Sequence, residues 1–130
     1  MLVLDASVVL AASYHAGGFA VFGGKALAAP PLMWSEARSA LHELLWREEI
    51  SAEDAERSRG RIEACPVERR THRRLGQDAW RIAEELGWAK TYDAEYVALA
   101  LLLDTQLVTL DSRLRRGADR LGCVVAPHEL

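Results

Sequence analysis

At 130 residues, half of them hydrophobic and about a quarter charged, the chain has room for one globular domain with a real core and too little for two. The net charge of −3 gives no sign of a broadly cationic nucleic-acid surface, yet it does not exclude a nuclease, because a metal ion can supply positive charge locally. No apolar run reaches the roughly 18 residues of a membrane span, and MLVLDAS lacks the basic start and small-residue cleavage site of a signal peptide, so a cytoplasmic location without a membrane partner is expected.

Met1–Leu4 is a continuous apolar run that closes at Asp5, the pattern of a central parallel strand buried on both faces. Asp5-Ala6-Ser7 then reads as a strand-to-helix turn, with Ser7 able to cap a short helix over Val8–Ser13. Taken alone, Asp5 reads first as a solvated turn residue or a helix cap. From Tyr14 to Pro31, two glycine pairs bracket FAVF in a segment poor in charge. Neither phosphate-cradling glycine pattern is present, so a loop with a short, weak helix and no chemistry is expected there.

An amphipathic helix follows over about Ser35–Glu48, with Ala37, Ala40, Leu41, Leu44 and Leu45 as its buried stripe. Ser35 is its expected N-cap, which puts Glu36 in the first turn, where a carboxylate suits the helix dipole. His42 and Arg47 fall on the solvated face. Ser51 opens a polar surface helix to Ala64, with a break expected at Gly60, and Cys65–Arg69 reads as a short strand. Thr71–Leu86 is a further helix capped by Gly87, its stripe formed by Leu75, Ala79, Ile82, Ala83 and Leu86, with Trp80 and Trp88 flanking. Cys65 and Cys123 lack CxxC spacing and are expected to be reduced and structural.

The stretch TYDAEYVALALLLDTQLVTLDSRL organises the rest. Its helix carries Asp93 in the first turn and is apolar nearly all round, a turn follows at Asp104–Thr105, and the strand Gln106–Leu110 stops at Asp111. A short basic helix and a last strand, Gly122–Ala126, complete an alternation of strand and helix that argues for α/β with a parallel sheet. In such a sheet, strand C-termini and helix N-termini share one edge. Asp5 and Asp111 end strands, and Glu36 and Asp93 begin helices, so all four acids are directed to that edge. Crowded carboxylates repel unless a cation is present or some are protonated, and an all-oxygen set suits Mg²⁺ or Mn²⁺. No histidine has zinc-ligand spacing, and no nucleophile-elbow motif is visible.

MLVLDAS, SEARSAL, TYDAEYVALA and LVTLDSRL, in that order, resemble the four motifs of the PIN-domain family, in particular the VapC-like ribonuclease toxins of bacterial toxin–antitoxin pairs. The resemblance spans residues 1–130 as a single PIN-like domain, a three-layer α/β/α sandwich around a mainly parallel sheet. It implies metal-dependent hydrolysis of single-stranded or looped RNA, with Asp5, Glu36, Asp93 and Asp111 as catalytic and metal-holding acids and Ser7 and Thr109 in support. It further implies Mg²⁺ (Mn²⁺ substituting), a VapB-like antitoxin and a homodimer. Asp119 is a weaker candidate for an extra acid. Among the basic residues, Arg73, Arg74, Arg113 and Arg116 are the expected RNA contacts. The apolar Tyr14–Lys25 departs from the charged helix expected there.

Two rivals remain open. A phosphoryl-transfer domain accepting on Asp5 would want a second acid at Asp-x-Asp spacing, where Ser7 stands, or a partner lysine after a strand; Lys25 and Lys90 are the only lysines. A catalytically silent PIN-fold binding module would have no reason to concentrate the four acids.

Overall fold

The computed structural model describes residues 1–130. Strand β1 (Leu2–Leu4) is buried at every position and leads into helix α1 (Ala6–Ala12). A single 3₁₀ turn, Gly18–Phe22, follows, and then β2 (Leu27–Ala29). Helices α2 (Leu32–Trp46) and α3 (Ala52–Glu63) precede β3 (Val67–Arg69). Next come α4 (Leu75–Leu86), α5 (Tyr92–Leu102), β4 (Gln106–Val108), α6 (Ser112–Ala118) and β5 (Val124–Val125). All strands pair in parallel in the order β3-β2-β1-β4-β5.

That order has one reversal. From β1 the chain steps outward through β2 to β3, then crosses back to β4 on the other side of β1 and on to β5. Right-handed crossovers therefore place α1, α2 and α3 on one face and α4, α5 and α6 on the other. The packing agrees: α2 lies against α1 and α3, α4 lies against α5, and α5 covers β1 and β4. The expected α/β/α layering is thus present, and the reversal between β1 and β4 marks where open parallel sheets form a ligand crevice.

Several local expectations need correction. The loop expected over Tyr14–Pro31 contains β2, the inner partner of β1. Leu-Ala-Ala is too short and too poor in β-branched residues to announce a strand; its burial between β1 and β3 makes it one. Helix α2 begins at Leu32, with Pro31 as an N-cap that offers no side-chain bond, so Ser35 caps nothing and Glu36 sits in the second turn. Gly60 does not break α3, and α4 starts at Leu75, after a turn in which the Arg74 N–H donates to His72 Nδ1. Ser51 caps α3 by accepting from the Asp54 N–H at 3.0 Å, as expected. Gly87 ends α4 in the left-handed conformation that glycine adopts without strain.

The segment Tyr14–Lys25 is tied down from both sides. Ser58 Oγ and Arg61 Nη1 both donate to the Ser13 carbonyl. Gly18 lies so close to α1 that a Cβ there would overlap the Ala12 carbonyl oxygen. Gly18→Ala must therefore displace backbone, and unfolding by denaturant should show a loss of about 1–3 kcal/mol. Gly60 faces open space within α3, so Gly60→Ala should instead gain about 0.5–1 kcal/mol through helix propensity.

Candidate active site at the carboxyl edge of the sheet

The turns leaving β1 and β4 are laced together by side chains. Asp5, rather than Ser7, caps α1: its Oδ1 accepts from the Val8 N–H at 3.1 Å and from Ser7 Oγ at 2.6 Å. Its Oδ2 accepts from the Thr109 hydroxyl, and both residues are almost wholly buried. Thr109 Oγ1 in turn accepts from the Asp111 N–H at 3.0 Å, and Ser7 Oγ accepts from the Leu110 N–H at 3.1 Å. Asp111 then caps α6, its Oδ1 accepting from the N–H groups of Arg113 and Leu114. Ser7 and Thr109 thus stand beside Asp5, and their part is to fix it.

Glu36 and Asp93 approach from the two helical layers. Asp93 lies in the first turn of α5, half-buried, as its sequence position implied. Glu36 is held by a residue the sequence reading passed over. The hydroxyl of Tyr96, itself 1% exposed, donates to Glu36 Oε1 at 2.5 Å. Tyr96 follows Asp93 by three positions, which puts both on the same face of α5. In an otherwise apolar helix Tyr96 looks like core; only its contact with Glu36 marks it as part of the site.

Charge repulsion links the four carboxylates in a closed circuit: Asp5 is pushed by Asp111, Glu36 by Asp93 and Asp5, and Asp93 by Asp111. Burial raises the Asp5 pKa, opposed by the bonds from Ser7, Thr109 and Val8 and reinforced by Asp111. Burial also raises Glu36, with Tyr96 opposing and Asp93, Asp5 and Glu95 adding repulsion. Asp93 is raised by burial and by Asp111, with Arg113 opposing. The donors are all hard oxygens, the set that suits Mg²⁺ or Mn²⁺. No three of the chain's His, Cys, Asp and Glu groups, however, stand close enough together to close around an ion directly. An open carboxylate ring of this kind fits a cation that keeps several of its own waters.

In front of this ring lies a groove of about 630 Å³, lined by Glu36, Asp93, Arg113 and the link between α4 and α5, including Trp88, Lys90 and Tyr92. Asp5 does not line it. Of the four arginines expected to meet RNA, only Arg113 lines the groove; it also stands 3.8 Å from Asp111. Arg74 instead pairs with the buried Asp78 at 3.3 Å, and Arg73 and Arg116 are exposed outside the groove. Asp119 is exposed in the 3₁₀ turn after α6 and adds nothing to the ring. The aromatic side chains of the groove were not foreseen: Trp88 read as bulk flanking α4, and Tyr92 carried no reading of its own.

Because Asp5, Glu36 and Asp93 hold protons more tightly in the fold than in the unfolded chain, their ionisation opposes folding. The fold gains from them as pH falls into the range just above the ordinary carboxylate value, and loses that gain as pH rises through the raised values. In EDTA, the melting temperature should therefore climb between about pH 7 and about pH 5. Asp93→Asn should flatten that slope and melt higher than the parent at neutral pH. A melting temperature that rises steadily with pH would contradict this account.

Comparison with known proteins agrees with the fold. A PIN domain family model matches residues 2–120. The VapC ribonuclease Mb0985 of Mycobacterium bovis and the ribonuclease VapC9 of Mycobacterium tuberculosis are each 36% identical over 115 residues, 88% of this chain and 88% of theirs. Ribonuclease VapC1 of Mycobacterium tuberculosis is 38% identical over 101 residues, covering 75% of this chain and 71% of its own. Among solved structures, PAE2754 from Pyrobaculum aerophilum superposes with a TM-score of 0.78 at 23% identity, over 98% of this chain and 91% of that one. A toxin-antitoxin complex from Klebsiella pneumoniae gives 0.63 at 15% identity, over the full length of both chains. At those identities the structures speak for the fold; the sequence matches carry the family, and the chain belongs to the PIN domain family.

Proposed function

We propose that the chain is a divalent-metal-dependent endoribonuclease that hydrolyses RNA phosphodiester bonds, and the toxin member of a pair with a VapB-like antitoxin. The observation that carries the reading is the ring of Asp5, Glu36, Asp93 and Asp111 at the strand reversal. The ribonuclease names of the relatives support it. A scaffold kept only for pairing gains nothing from four mutually repelling carboxylates. A homodimer and a cytoplasmic location belong to the same reading through family membership; for its part, no helix is long and apolar enough to cross a membrane.

In this mechanism Asp5, Asp93, Asp111 and Glu36 would hold Mg²⁺, with Mn²⁺ able to substitute. The bound ion would offset phosphate charge and make water a stronger nucleophile. The chain's own groups do the positioning. Ser7, Thr109 and the Val8 N–H fix Asp5 in one orientation. Tyr96 occupies Glu36 Oε1 and leaves the second oxygen available to orient a water or take its proton. Arg113, exposed at the rim, meets the phosphate backbone.

The test is cleavage of a panel of structured RNAs by purified, antitoxin-free protein with Mg²⁺, with Mn²⁺ and with EDTA. Discrete cuts that vanish in EDTA and in Asp93→Asn are expected; cuts retained in both Asp5→Asn and Asp93→Asn would sink the assignment. On a cleaved RNA, Tyr96→Phe should lower kcat by about 10- to 100-fold, as loss of an orienting partner does. In a Glu36→Gln background the same change should cost nothing further, since the tyrosine acts through that carboxylate. Additive losses would detach Tyr96 from Glu36.

A further inference from the structure

The groove beside the carboxylates contains an aromatic surface that the hydrolytic chemistry does not require. Tyr92 is the first residue of α5 and 56% exposed, and it lines the groove next to Asp93. The other exposed aromatic residues, Tyr14, Trp46 and Trp80, lie away from the groove. Behind Tyr92 the groove wall is Trp88, which packs onto α6: a Cβ at Gly117 would stand 3.0 Å from its indole ring, so the close approach depends on glycine. Lys90 is exposed and lines the same groove two residues before Tyr92, and Arg113 faces it from α6. A cation, an aromatic ring and a carboxylate therefore follow one another within four consecutive residues, Lys90 to Asp93.

We propose that Tyr92 is a stacking platform for one unpaired nucleobase beside the scissile phosphate, with Lys90 and Arg113 holding the flanking phosphates, so that this residue selects single-stranded RNA. The proposal rests on the nuclease reading and names a residue that sets its substrate. Every base has a π-face, so stacking on a half-exposed tyrosine tolerates any sequence but requires an unstacked base. A duplex keeps its bases stacked on one another and offers the ring no face. Lys90 and Arg113 supply the sequence-independent attraction to phosphate that an acidic groove otherwise lacks. The tyrosine touches substrate and not the reacting atoms, so its contribution is to binding in ground and transition states alike.

The experiment compares the full chain with Tyr92→Leu and Tyr92→Phe, after melting curves confirm that all three are folded. Binding of a fluorescein-labelled oligoribonucleotide, single-stranded or annealed to its complement, is followed by anisotropy in EDTA. The leucine variant should bind the single strand about tenfold more weakly while the phenylalanine variant stays within about twofold of the parent, the effect of losing one stacked base. Duplex binding should not change. On a cleaved RNA with Mg²⁺, Tyr92→Leu should raise KM and leave kcat unaltered. The proposal is overturned if the parent does not bind the single strand, if leucine matches the parent, if phenylalanine is as weak as leucine, or if duplex binding falls equally. Because the anisotropy needs no cleavage, a parent protein that cuts no RNA would reject the nuclease reading while this assay still decides the role of Tyr92.

Discussion

Asp5 is a carboxylate with almost no access to water, held by three hydrogen-bond donors from two different turns. Burying a carboxylate is unfavourable unless donors replace the lost water, and here Ser7, Val8 and Thr109 do so. The same bonds bind the end of β1 to the end of β4 at the one place where the strand order reverses. Thr109 and Ser7 each pass the constraint on by accepting a backbone N–H from the β4–α6 turn. The cap of α6, and with it the position of Asp111, follows from that lacing.

The remaining electrostatics are arranged around helix ends. Asp5 and Asp111 cap α1 and α6, and Asp93 lies in the first turn of α5, so three helix N-termini offer partial positive charge to three of the four acids. Glu36 has no such support. Its helix begins four residues earlier, without a side-chain cap, and the hydroxyl of Tyr96 takes the place of a dipole. The acid farthest from a helix start is the one that receives a dedicated buried donor. That pairing spans the sheet from α2 to α5 and joins the two helical layers at the mouth of the site.

What could be read from the sequence follows from how local each signal is. Asp5, Asp93 and Asp111 were legible because an apolar run ending or starting at an acid places that acid at a strand or helix end, whatever the tertiary packing. Glu36 was legible as a member of the set, but for a reason the structure replaces: it is a second-turn residue held across the sheet by Tyr96. Strand β2 was not legible, since Leu-Ala-Ala becomes a strand only through its neighbours. Trp88 and Tyr92 were not legible as groove residues, because the groove is made by the turn at Gly87 and the approach of α6. The basic residues could not be sorted for a related reason: Arg74 is held by Asp78 one helical turn on, while the groove that Arg113 lines is made by tertiary structure.

The bond between Thr109 and Asp5 joins residues 104 positions apart. During synthesis the strand that carries Asp5 emerges long before the strand that completes the site. A chain stopped anywhere before Thr109 contains Asp5, and can contain Glu36 and Asp93, yet lacks both the partner that satisfies Asp5 and the carboxylate that closes the ring. Contacts that distant in sequence form only after a large loop has closed, so the active arrangement and the finished fold arrive together. For an enzyme that cuts RNA, working chemistry would then appear only once synthesis has passed Asp111, and a product stopped short of that point would be inert.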